Sequence, residues 1–443
     1  MAKSGAGVGA DGLRVLIDSG DYRLRNRGDI AMLVMTVERV RERWPRARIG
    51  VLTKESAVLR GLLPDAEPIC VDDGGHWGRG GFAGRLEHAA GTKLTGPASV
   101  LWRAATDAPS ARLRGVRSWA VSGVRTLTGA EPDRKPDTSP RPPLPAAVAE
   151  ADLVLTLGGG YVADANRHRA HRMLALLEHA AALGIPTAML GQGLGPIADA
   201  DLRSRAADVL PGVDVVAVRE RLRGPRLLAD LGVAADRTLV TGDDAIEFSY
   251  RTRRPEIGSD LGLCLRVGDY TKLSDSAREA LGTAVLASAA AHEATLAPLI
   301  LSEHHSEDRR ATLPLLSGAT RTRAPIGRTG TAEDVARQVS RCRVVVTSAY
   351  HLAVFALSQG IPAIAVTASQ YYDDKFHGLA DMFGAGLRVV HLDSTDLERE
   401  LTHQVRELWE AAPDVRETLR HKAVEQIDAS RAGLERVFRL VAD

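Results

Sequence analysis

The sequence predicts a two-domain α/β protein in which two parallel sheets face a central cleft, and three observations predict it. Short apolar, β-branched runs alternate with helical patterns along most of the chain, the rhythm of βαβ units. Those runs end in loops rich in Gly, Asp and Asn, the composition of strand-to-helix turns at which backbone approaches a ligand. The chain has 443 residues, 44% hydrophobic and 26% charged, enough for two cores of ordinary size.

The first strand is Leu13–Asp18 (LRVLID), followed by a polar loop and a helical pattern over Ile30–Trp44 that Pro45 stops. Arg48–Thr53 supplies the next strand and Pro68–Val71 a short third, so the connections read as parallel crossovers of the Rossmann type. The rhythm breaks over 72–148, which is Gly-rich at first, then basic and amphipathic, then Pro-rich. This insertion reads equally as a lid or acceptor platform and as a loop without a role. Regularity resumes at Ala151–Leu157, which ends in Gly158, Gly159 and Gly160; a helix over Asn166–Leu183 leads to the strand Thr187–Leu190 and a second Gly loop, Gly191–Pro196. A helix near Leu202–Leu210, a strand at Val213–Val218, a helix closing at Leu231 and Gly232, and the strand Thr238–Thr241 complete a first domain over 1–242. Gly242, Asp243 and Asp244 read as the hinge. The second domain, 243–395, repeats the pattern with strands at Leu261–Arg266, Thr295–Leu301, Val344–Thr347 and Ala363–Val366. The amphipathic tail, 396–443, reads as two helices, the last crossing back over the first domain.

Composition excludes several classes. A net charge of +1 gives no basic excess for nucleic acid. Cys70, Cys264 and Cys342 lie far apart without C-x-x-C spacing, so neither a zinc cluster nor a disulfide framework is expected, and a reducing cytoplasm is the natural location. The Gly-rich start lacks the features of a signal peptide, and no apolar run is long enough to span a membrane. Glu303, His304, His305 and Asp308 follow a strand end without metal-ligand spacing, so no metal is expected.

Four loops carry residues that an ordinary connector does not need. In the first, Asp21, Asn26, Gly28 and Asp29 precede a helix; Asp21 or Asp29 can act as a base, while Asp29 can equally serve as a simple cap. In the second and third, Gly158, Gly159 and Gly160 and then Gln192 and Gly193 allow close approach of a donor, although a tight turn would use the same glycines. Asn26, Gly28 and Tyr161 are candidates for holding an acceptor. In the fourth, Thr347 or Ser348 is placed to cap a helix whose first turn holds Tyr350 and His351; free N–H groups there suit an anion, and His351 can move a proton. A packed polar histidine is the plainer account. Lys375, in the loop Tyr371–Lys375, is a candidate phosphate partner or a solvated charge, and Arg219, Arg266 and Glu220 follow strand ends.

The ordered motifs N-x-G-D (Asn26–Asp29), A-D-L-V-L-x-L-G-G-G (Ala151–Gly160), G-Q-G-L-G-P, V-R-E with L-x-x-L-G-V, G-D-D, S-x-Y-H with G-I-P, and Y-Y-x-D-K-F resemble the polysaccharide pyruvyl transferase family. The resemblance implies a GT-B-like fold and transfer of a pyruvyl group from phosphoenolpyruvate to a sugar, usually as a cyclic ketal. It matches His351 to the family's late histidine, Lys375 to the lysine after the next strand, and Arg219 to the mid-chain arginine. Ala349 departs from it, standing where the family carries an arginine expected to grip the donor. Loss of a bidentate anion clamp costs on the order of 1.5–3 kcal/mol of donor binding.

Three readings follow. In the first, phosphoenolpyruvate lies at the helix end near Ser348, held by Arg219, Lys375 or Arg266, with His351 as acid or base. In the second, the same end holds the diphosphate of a nucleotide sugar, and a glycosyl group passes to a small hydroxyl or thiol acceptor of specialised metabolism, with Asp21, Asp29 or Glu220 as base. In the third, the chain binds a sugar or nucleotide without turnover. The partners expected are a phosphorylated donor and a sugar-like acceptor, with no cofactor and a homodimer left open.

Overall fold

A computed structural model describes residues 12–78, 98–105, 144–266 and 273–442. The first sheet has seven parallel strands: β1 (Arg14–Asp18), β2 (Arg48–Thr53), β3 (Glu67–Cys70), β4 (Leu153–Thr156), β5 (Thr187–Gln192), β6 (Val215–Val218) and β7 (Thr238–Val240). Their order is β3-β2-β1-β4-β5-β6-β7, so the direction of winding reverses between β1 and β4. Such a reversal opens a crevice beyond the carboxyl ends of the two strands. The second sheet, β8 (Asp260–Cys264), β9 (Thr295–Pro298), β10 (Cys342–Thr347), β11 (Ala363–Thr367) and β12 (Leu387–His391), is also parallel, in the order β12-β11-β10-β8-β9, and reverses between β8 and β10.

The strands are continuous apolar runs because helices cover both faces. In β10, Val344, Val345 and Val346 have no exposure, and each buried side chain contributes on the order of 1.5 kcal/mol. The expected strand Thr295–Leu301 is shorter: it ends at Pro298, on an edge strand, where a missing N–H is tolerated. Most of the 72–148 insertion lies outside the described residues.

The tail corrects the expectation of two helices. It is one helix of 46 residues, Leu397–Ala442, running through Pro413. Proline leaves the carbonyl four residues earlier without its helical donor, and here the Arg343 Nε donates to the Trp409 carbonyl at 2.8 Å. The far end of this helix reaches the first domain, where Phe438 packs edge-on against Trp44, ring centroids 4.7 Å apart.

Two sets of contacts hold the sheets face to face. The loop before the helix Arg27–Arg43 pairs with the segment after β9: Arg27 N donates to the Leu301 carbonyl at 3.0 Å and Glu303 N to the Arg25 carbonyl at 2.9 Å. The buried Arg27 guanidinium donates to the carbonyls of Ile300, Gly327 and Gly330 and meets Glu303 at 3.3 Å. On the other side, Arg221 and Arg223 reach Asp381 and Asp374 of the helix Gln370–Phe383, each at 2.6 Å.

Candidate functional site

The loops after β1, β4, β8 and β10, which flank the two reversals, meet in one place. Asn26, not Asp29, caps the helix Arg27–Arg43, its side chain accepting the Gly28 N–H at 3.1 Å. Asp29 is thereby free in the first turn and almost fully buried. Its carboxylate accepts the Tyr161 hydroxyl at 2.5 Å and stands 3.8 Å from His351 Nδ1. Burial raises the Asp29 pKa, against the opposing charge of His351 and with the repulsion of Asp21 added.

Asp21 has a different job from the one expected. It accepts the backbone N–H groups of Arg23, Arg25 and Asn26 and lies 3.2 Å from His304 Nε2. Burial pushes its carboxyl up, but the His304 contact and these N–H donors outweigh that and hold it well below the ordinary range. A carboxylate so occupied shapes the loop and is a poor base. Glu220 is likewise a brace, accepting the N–H groups of Leu222, Arg223 and Gly224.

His351 opens the second domain's contribution. The helix Tyr350–Ser358 is capped by Ala349, and neither Thr347 nor Ser348 caps it as expected. Thr347 Oγ1 accepts the Ala349 N–H at 2.9 Å, and Ser348 Oγ is turned to the Arg266 backbone, accepting its N–H at 2.6 Å. The His351 ring is buried between two carboxylates, Asp29 at Nδ1 and Asp243 at Nε2, the latter 3.7 Å away. Nε2 has no hydrogen bond among the described residues. Burial pushes the imidazole down to about 3; Asp29 opposes this, and the positive charges of Arg219, Arg266 and Lys375 reinforce it. The ring is neutral at ordinary pH. Gly28 lets it sit there, since a Cβ at that position would fall 2.4 Å from the ring's Cγ.

Arg219, after β6, is almost fully buried. Its guanidinium stacks 3.8 Å over the Tyr350 ring and its Nη1 meets Asp243 Oδ2 at 3.3 Å. Gly193 supports the other side, where a Cβ would lie 2.5 Å from Nη2. Lys375 belongs to the first turns of the helix Gln370–Phe383 and not to a loop, because Tyr372, Phe376 and Leu379 turn toward the core at helical spacing. Its Nζ lies 3.7 Å from the Tyr371 ring centroid and beside Gly160, and no carboxylate pairs with it among the described residues. Burial pushes its pKa well below the usual lysine value, with Arg219 and Arg266 reinforcing and Asp29 opposing.

Two expected donor contacts are otherwise engaged. Arg266 is bidentate to Asp308, at 2.8 and 3.1 Å, because Asp308 also receives the N–H groups of Leu301 and Ser302 and fixes the loops after β8 and β9. Gln192 is fully buried and donates to the carbonyls of Thr156 and Leu157, tying β4 to β5. The Gly158–Gly160 turn does reach the cluster: the Gly160 carbonyl accepts from Asn166 Nδ2 and the Tyr371 hydroxyl, both at 2.8 Å. Asn166 and Asp243 were not singled out as site residues by sequence reasoning. The signal for Asp243 was its place directly after a strand end, in G-D-D.

Facing parallel sheets with a polar cluster at both winding reversals make a GT-B-like fold. The chain belongs to the polysaccharide pyruvyl transferase family, whose pattern matches residues 26–370. No curated protein matches it in sequence. Among solved structures it is similar to a putative UDP-N-acetylglucosamine 2-epimerase from Listeria monocytogenes (TM-score 0.54, 14% identity, 97% of each chain covered). It is also similar to the UDP-GlcNAc 2-epimerase of Neisseria meningitidis bound to UDP-GlcNAc (TM-score 0.51, 11% identity, 97% of this chain and 100% of that one). A third is Arabidopsis thaliana UGT89C1 complexed with quercetin (TM-score 0.50, 14% identity, 97% and 99% covered). At these identities the likeness is one of fold. No described helix is long and apolar enough to cross a membrane.

Proposed function

We propose that the protein transfers a pyruvyl group from phosphoenolpyruvate to two hydroxyls of a sugar or sugar-derived acceptor. The supporting observation is one cluster: a neutral, buried His351 whose Nε2 has no hydrogen-bond partner among the described residues, Asp29 at its other nitrogen, and the side chains of Arg219 and Lys375 at the head of the helix Tyr350–Ser358. Arg219 and Lys375, with the helix N-terminus, suit the phosphate and carboxylate of a compact donor. His351 takes the proton of the attacking hydroxyl as its oxygen bonds to C2 of the donor and passes it to C3; the second hydroxyl then displaces phosphate, which leaves with that hydroxyl's proton. The balance is phosphoenolpyruvate plus diol giving cyclic ketal plus inorganic phosphate. Asp29, held by Tyr161, keeps the ring in place and offsets its developing charge.

One observation favours a second reading, in which the donor is a nucleotide sugar. Ala349 leaves the head of the helix without a side-chain clamp, and a similar fold holds UDP-GlcNAc in the meningococcal enzyme. A thermal-shift panel of phosphoenolpyruvate and nucleotide sugars, followed by phosphate-release assays, separates the two. Stabilisation by phosphoenolpyruvate is expected; a response to nucleotide diphosphates alone would overturn the pyruvyl reading.

A further inference from the structure

Asp243 lies in the connection after β7, at 3% exposure, in the G-D-D stretch that the sequence reads as a hinge. Its Oδ1 accepts the Ala245 N–H at 3.0 Å, which fixes the side chain's direction. Its Oδ2 is then shared: 3.3 Å to the Arg219 Nη1 and 3.7 Å to His351 Nε2. No other hydrogen bond of the Arg219 guanidinium is made among the described residues, so its remaining donors are unpaired, while the Tyr350 ring and Gly193 bound its two faces. One carboxylate oxygen therefore touches the group that would grip a donor anion and faces the nitrogen that would receive a proton.

We infer that Asp243 is a positioning residue, which aims the Arg219 guanidinium at the donor and balances the charge that His351 acquires during transfer. The inference rests on the reading of this cluster as the site of a phosphorylated donor, but not on which donor it is. The physical reason is geometric. A buried guanidinium held by stacking alone can slide over a ring, whereas an edge-on carboxylate with a second, backbone-fixed oxygen removes that freedom. His351 gains likewise: Arg219, Arg266 and Lys375 disfavour its protonated form and Asp29 favours it, while Asp243, 3.7 Å from Nε2, is a second carboxylate placed to do the same. Asp243 is the one beside Nε2.

The test is a double-mutant cycle on the full chain. Calorimetric affinities for phosphoenolpyruvate and, separately, for UDP are measured in wild type, Arg219→Ala, Asp243→Asn and the double variant. Asp243→Asn is nearly isosteric and keeps an acceptor for the Ala245 N–H. It is expected to weaken binding roughly tenfold, the scale of a lost charge-assisted contact. The double variant is expected to bind no more weakly than Arg219→Ala, because Asp243 acts on the donor through that arginine. Additive losses, or wild-type affinity in Asp243→Asn, would overturn the inference while leaving the donor reading intact. Binding of UDP but not phosphoenolpyruvate would overturn the pyruvyl proposal, with the cycle then read on UDP. Binding of neither would overturn both. Should Asp243→Asn fail to fold, Asp243→Ser carries the same cycle, and Asp243→Glu is expected to recover part of the affinity.

Discussion

His351 is uncharged where its unfolded counterpart would begin to charge, and this ties the site to stability. Its folded value is about 3, against an ordinary 6.5, with burial the largest cause. Above pH 6.5 both states are neutral and folding bears no penalty. As pH falls, the unfolded chain takes up a proton that the native ring refuses, and stability declines by about 1.4 kcal/mol per pH unit until the folded value is reached. Between pH 7 and 5 the wild type should therefore lose about 2 kcal/mol more than His351→Gln, read from urea unfolding at the two pH values. Equal losses would mean that the native ring titrates normally. The same variant should turn over at least about a hundredfold more slowly, the scale of a lost acid-base group.

At the scale of elements, the helix Arg27–Arg43 is built to admit a ring at its first turn. Gly28 is a poor helix former, and alanine there would ordinarily add about 1 kcal/mol of stability. Here the added methyl would press on the root of the His351 ring, whose Cβ and Cγ cannot swing aside as the tip of a long side chain can. Gly28→Ala is expected to destabilise by about 1–3 kcal/mol and to lower turnover, checked by thermal unfolding and initial rates. A stabilised, fully active variant would show that the two helices have slack between them. The 46-residue helix shows the opposite case, in which a sequence signal was overruled. Pro413 reads as a break, yet packing on both domains and the Arg343 contact to the Trp409 carbonyl carry the helix through it.

For the whole molecule, the site exists only because the domains are closed. Asp29 and Arg219 come from the first domain, Tyr350, His351 and Lys375 from the second, and Asp243 from the hinge between them. Arg27 is the buried fastener on one side, meeting four carbonyls and Glu303, which also pairs with Arg309 and Arg328. Replacing Arg27 with Met strands those carbonyls and is expected to cost about 3–5 kcal/mol, as breaking buried ionic contacts does. Small-angle scattering should show a larger radius of gyration. An unchanged radius with unchanged stability would place the hold on the Arg221 and Arg223 side instead.

The sequence by itself determined the α/β class, the parallel strands and the loops at their carboxyl ends, because period, β-branching and glycine placement are local properties. It also named most of the cluster: Asp29, Tyr161, Arg219, Tyr350, His351 and Lys375 do come together. Only the tertiary structure decided which polar groups remain open. Asp21, Glu220, Gln192 and Arg266 looked as available as Asp29 and Arg219, but each is consumed by loop amides, strand ends or Asp308. Hydrogen-bond partners distant in sequence make that choice. Asp243 moved the other way, from hinge to a contact of both Arg219 and His351, because what faces a carboxylate across a cleft is set by how two domains close and by nothing in its neighbours along the chain.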